Sequence, residues 1–144
     1  MNFREIFEKL YSSYANKLWK YTFINFTSSF IQFIIYQSAN YKPNDREAFV
    51  NKIQEEVDMI EQFYTSVCTS KDLESHKLNL KALMNLYKGS IEDFGVDLLT
   101  IKLLLKKDFN DKCYQCILRM RTDIDSVVKE QLDSMLSQEE AKIK

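Results

Sequence analysis

Glycine, proline and histidine are nearly missing from this chain: its 144 residues include two glycines, one proline and one histidine. So few breakers exclude a turn-rich β fold or a flexible linker and favour helices. With only Gly89 and Gly95 there is no loop to cradle a phosphate. One histidine leaves little for a nucleophile–base pair, and the carboxylates follow solvated helix faces rather than an acid–base pairing, so no enzyme is expected. An excess of one charge is missing as well. Twenty lysines and arginines meet 21 aspartates and glutamates, so no whole-chain field points to nucleic acid or an anionic membrane. Three cysteines, an odd number, make no disulfide framework and fit a reducing compartment. The start, "MNFREIFEKL", lacks the basic and apolar parts of a signal peptide, and a cytoplasmic protein is expected.

What is present is ordinary globular composition, 45% hydrophobic and 28% charged. The length fits one domain, 1–144, with "SQEEAKIK" (137–144) as a fraying tail. No charge falls between Lys20 and Lys42, where "YTFINFTSSFIQFIIY" is dense in phenylalanine and isoleucine. A membrane span needs about 20 mostly apolar residues. Here six positions of sixteen are polar (Thr22, Asn25, Thr27, Ser28, Ser29 and Gln32). A helix buried on most sides by other helices fits the segment better than a span.

Apolar periodicity supplies the elements. Phe3, Ile6, Phe7, Leu10, Tyr14, Leu18 and Tyr21 form one helical stripe, which continues through Phe23, Phe26, Phe30, Phe33 and Ile34 to about Ser38. Thr27–Ser29 is a plausible break, since short hydroxyl side chains compete for backbone partners. Two helices, or one bent helix, are therefore expected over 2–39. "NYKPND" is the clearest boundary, with Asn44 as cap and Glu47 reaching back. Phe49, Ile53, Val57, Ile60, Phe63/Tyr64 and Val67 mark the next helix. Another runs from near Lys71 to Lys88 and stops at Gly89. A helix starting at Ser90 carries Gly95, a candidate join between two pieces. Asn110 or Asp108 caps a helix ending near Arg121, and Thr122 or Asp123 caps the last one. The expected fold is all-α, a bundle of about five to seven antiparallel helices.

"KKDFNDKCYQCILRMRTDI" (106–124) is the one stretch that looks like chemistry. Cys113 and Cys116 have the spacing of thiol oxidoreductases and of zinc sites. A redox pair wants a βαβ setting, and nothing here reads as a strand. Zinc wants four ligands, and only Cys68 and His76 remain, the latter as suited to an exposed or capping role. Cys113 with Ile117, and Cys116 with Met120, share helical faces, so both thiols are expected to pack as small core residues. No cofactor or metal is expected. Lys102, Lys106, Lys107, Arg119 and Arg121 form a basic cluster that suits an acidic partner or phospholipid headgroups. Solvated decoration is the plainer reading of the same residues.

From about Tyr41 to Leu132 the order of segments resembles the C-terminal helical region of the exocyst complex component three family, which tethers vesicles. "DREAFVNKIQEEVDMIEQFY" is similar to that family's charged amphipathic helix. "LNLKALMNLYKGSIEDFGVDLLTIKLLLKKDFND" is similar to its leucine-rich pair, and "CYQCILRMRTDID" to its closing segment. None of these motifs is catalytic, and the Cys-x-x-Cys pair is not a mark of the family. Its members are much longer, so the resemblance implies an excised C-terminal piece or a short relative. It further implies a segment of a helical rod, acting without catalysis in exocytosis. The implied partners are other tethering subunits and SNARE or small-GTPase-linked proteins, with recruitment to the plasma membrane through them. The competing reading is a stand-alone cytosolic bundle that captures a partner's amphipathic helix. Shape separates the two: a rod stacks successive hairpins, whereas a groove binder wraps its helices around a central one.

Overall fold

The computed structural model describes residues 2–67 and 70–143. Six helices follow one another: α1 (Phe3–Gln37), α2 (Arg46–Val67), α3 (Ser70–Lys88), α4 (Ile91–Leu105), α5 (Asp111–Met120) and α6 (Ser126–Ile143). Short 3-10 turns at Ser38–Asn40, Pro43–Asp45 and Lys106–Asp108 complete the order, and no strand occurs among the described residues. The fold is an all-α bundle, as its composition requires.

Residues 2–39 hold one unbroken helix to Gln37, about 52 Å long. Its N-terminus is capped by the Asn2 side chain, which accepts the Glu5 N–H. No break occurs at Thr27–Ser29, because the Thr27 hydroxyl is engaged elsewhere. It lies 3.1 Å from the Tyr64 hydroxyl of α2, so it does not compete with the helix ladder. The C-terminal half of α1 buries Phe23, Thr27, Ile31, Ile34 and Ile35, one face at helical spacing, and Ser38 of the turn that follows is buried in line with them. Phe26 and Phe33 stay exposed, so the uncharged segment is buried on one side rather than on most sides.

The N-terminal half of α1 departs from expectation more sharply. Phe3 is 83% exposed and Tyr21 72%, and Leu10, Tyr14 and Leu18 are also exposed. No described side chain before Trp19 is buried. The stripe is helical as the sequence requires, but none of the described residues folds over it.

α3 is the hub. It packs against α1, α2, α4 and α5. Leu80, Leu83, Leu86 and Tyr87 are fully buried there, meeting Ile31 and Ile35 of α1, Phe49 and Ile53 of α2, and Leu98 and Ile101 of α4. Successive hairpins account for α2–α3–α4 alone. The added packing of α1 and α5 on α3 is that of a bundle wrapped about a central helix, with α3 at its centre.

Local signals resolve in the same physical terms. Asn44 lies inside the Pro43–Asp45 turn, which feeds α2 directly. Gly89 donates to Asn85 O at 2.7 Å and closes α3. Gly95 marks no join: α4 is continuous, and a Cβ there would meet α6 at ordinary contact distance, 3.5 Å from Met135 Sδ. Asp125, not Thr122 or Asp123, caps α6 by accepting the Val128 N–H at 2.8 Å. Asp123 is occupied by Arg121, and α6 continues through the expected tail to Ile143.

Candidate functional site

The paired thiols come first, as the strongest chemical signal. Asn110 caps α5, its side-chain oxygen accepting the Cys113 N–H at 3.0 Å. That start turns Cys113 and Cys116 inward, with Ile117 and Met120, into the main core. The Cys113 thiol donates to Asp108 O at 3.5 Å. Burial pushes the Cys116 thiol up, with Cys113 adding to the effect, so it is held in the unreactive protonated form. His76 is buried, not exposed, and lies edge-on to the rings of Phe23 and Tyr64 at 6.1 and 5.9 Å. Cys68 lies outside the described residues. Among the described residues no three His, Cys, Asp or Glu side chains gather as metal ligands. Both paired sulfurs are core atoms.

The five cations of the basic cluster are not one patch. Arg121 is 3% exposed and closes the end of α3: its guanidinium donates to Leu86 O at 3.0 Å and Gly89 O at 2.9 Å. The same group pairs both oxygens of Asp123, at 2.9 and 2.8 Å, and sits over the Phe94 ring. That hydrogen bonding, with Arg46 at 3.3 Å, pulls the Asp123 carboxyl down to about 2. Arg119 donates to Ser38 O at 3.0 Å and Tyr41 O at 2.6 Å, tying α5 to the turn after α1. Lys102 is buried and donates to Leu136 O of α6 at 3.1 Å, with Glu140 3.4 Å away. All three serve the bundle itself: Lys102 and Arg121 are buried cations, stable only where carbonyls and carboxylates surround them, and the exposed Arg119 directs its donors to backbone carbonyls of the bundle.

Lys106 and Lys107 remain exposed, on the turn after α4. Together with Lys102, Leu99, Leu103, Phe109, Glu139 and Glu140 they line a groove of about 650 Å³ between the end of α4 and α6. Leu103, 60% exposed, presents its side chain there. One side of the groove is basic and the other acidic, over an apolar floor. Lys106 has φ 54° and ψ −123°, the only positive φ at a described non-glycine residue. That conformation costs on the order of 1–3 kcal/mol, which the surrounding packing sustains.

Sequence reasoning located Lys106 and Lys107 but missed the groove, since α6 meets the end of α4 only in the folded chain. It also missed the Arg121–Asp123 pair, whose signal is the Arg-x-Asp spacing in "RTD". Comparison with known proteins finds no matching family model, no matching curated protein and no matching solved structure.

Proposed function

We propose that this chain is a non-catalytic protein-interaction module whose groove between α4 and α6 receives an amphipathic helix of a partner. The observation that carries this reading is the pairing of an apolar floor with two exposed lysines on a strained turn. Such a groove suits a helix that lays its apolar face on Leu99, Leu103 and Phe109 and sets acids against Lys106 and Lys107. The lysines steer and orient the partner, and the apolar floor supplies affinity.

The resemblance to the exocyst family suggests the class of partner: another subunit of a vesicle-tethering complex, or a SNARE or small-GTPase-linked protein, met on the cytoplasmic side of the plasma membrane. No helix among the described residues is long and apolar enough to cross a membrane, and membrane recruitment in this reading runs through the partner. One observation favours the stand-alone regulator instead: the helices wrap around α3, as in a groove-binding bundle.

Calorimetric titration against purified tethering subunits and SNARE proteins tests both readings. The tethering reading expects one of them to bind, with affinity reduced at least about tenfold in Lys106→Glu/Lys107→Glu while helicity is unchanged. Binding that ignores the double reversal rejects the groove. Failure of all of them to bind rejects the tether. Capture of an unrelated acidic amphipathic helix, sensitive to the reversal, establishes the stand-alone regulator.

A further inference from the structure

The exposed half of α1 carries large apolar side chains at a spacing that its own bundle does not use. Phe3, Leu10, Tyr14, Tyr21 and Ile24 fall at steps of 7, 4, 7 and 3, the periodicity of a coiled-coil seam, with Ile6 flanking it. All six side chains are exposed. At about 100° per residue, Trp19 and Phe23, which face α2, lie on the opposite side of the helix from Phe3 and Tyr21. The bundle therefore leaves the seam open along its length. With Tyr11 and Leu18, which are also exposed, it offers on the order of 1,000 Å² per copy. That exceeds the apolar patch a monomer ordinarily shows and matches what each partner in a stable dimer buries, roughly 800 Å².

We propose that this face is the interface with a second copy of the chain, the two α1 helices lying antiparallel over residues 3–21. Lys17 decides the direction. It occupies the seam position between Leu10 and Ile24. In a parallel, in-register pair the two Lys17 ammonium groups would face each other across the core of the seam, a like-charge contact in a drying interface. In the antiparallel pair they separate toward opposite ends, and each long side chain reaches solvent past its neighbours. The same arrangement sets Phe3 against the partner's Tyr21 and Leu10 against the partner's Tyr14.

An anionic bilayer is the weaker occupant. The helix flanks carry Glu5 and Glu8 among Arg4, Lys9 and Lys20, and Arg4 is paired with Glu8 at 3.3 Å. A membrane-surface helix instead lines its polar face with cations.

Light scattering during gel filtration, together with sedimentation velocity of the 144-residue chain, tests the proposal. The expected species has twice the 17.1 kDa monomer mass and becomes monomeric in Leu10→Glu/Tyr14→Glu. Those side chains touch none of the buried core, so the variant keeps its helicity and its thermal midpoint for the bundle. In a Cys68→Ser background, oxidising a mixture of Phe3→Cys and Tyr21→Cys chains should link 3 to 21, not each variant to itself. A wild-type monomer at about 100 μM overturns the proposal. So does a dimer indifferent to the double substitution, or self-linking at position 3, which marks a parallel pair. A monomer that binds anionic phosphatidylserine vesicles through this helix reassigns the face to lipid.

Discussion

The two halves of α1 share one helix and one kind of side chain and meet opposite fates. Ile31 and Ile35 are fully buried against α3, whereas Leu10 and Tyr14, of similar apolar character, are exposed. Periodicity cannot separate them, because a stripe at helical spacing reports only that side chains share a face. What differs is the rest of the chain. α2, α3 and α5 cover the face from Phe23 onward, and among the described residues nothing covers the face before it. An apolar stripe is thus a demand for a partner, and the partner is intramolecular for one half only.

The largest test of this contrast is a pair of truncations. Ile35→Ala should lose about 3 kcal/mol in urea unfolding, as it removes buried methylenes and leaves a cavity. Leu10→Ala, measured in protein dilute enough to be monomeric, should shift the bundle by less than about 0.5 kcal/mol. Equal losses would erase the distinction between the two halves.

A second pair compares buried and exposed cations. Arg121→Met should cost about 2–3 kcal/mol, because the end of α3 loses its donors and Asp123 loses its bidentate partner. Lys107→Met should be close to neutral by the same chemical denaturation. A neutral Arg121→Met would show that water replaces the guanidinium at little loss.

Lys106→Gly should stabilise the fold by about 1 kcal/mol, since glycine adopts positive φ without strain. The thermal midpoint reads this gain. If the groove works as proposed, the same variant binds its partner less well, a gain in stability set against function.

The smallest effect is one of pH. Asp123 has its folded value lowered to about 2, from an ordinary value near 3.8. Its contribution to stability is therefore complete above about pH 4 and is lost as pH falls through about 2. Acid titration of the unfolding free energy should be flatter for Asp123→Asn than for the parent chain between these limits. Because the carboxylate is 40% exposed, solvent screening keeps the difference modest.

Several local decisions were legible in the residues themselves. Scarce glycine and proline dictated helices, Asn110 was readable as a cap, and Gly89 as a stop. The inward packing of Cys113 and Cys116 followed from their spacing to Ile117 and Met120. Other decisions were not legible, for stated reasons. Asp123 reads as a helix cap until Arg121 occupies it, which leaves the role to Asp125. Thr27 reads as a helix breaker until Tyr64 supplies a hydroxyl partner. His76 reads as a surface residue until the rings of Phe23 and Tyr64 enclose it. In each case the competing partner comes from another part of the chain or another use of the same side chain.

The sequence by itself determined that this protein is helical, where most of its helices stop and which faces of them are apolar, because those properties depend on neighbours within a turn or two of backbone. Only the tertiary structure decided which apolar faces are covered, which cations are internal, and that α3 lies at the centre. Those outcomes depend on long-range packing: Arg121 became structural because α3 happens to end beside it, and Lys106 and Lys107 stayed free because α6 passes alongside them without closing over them.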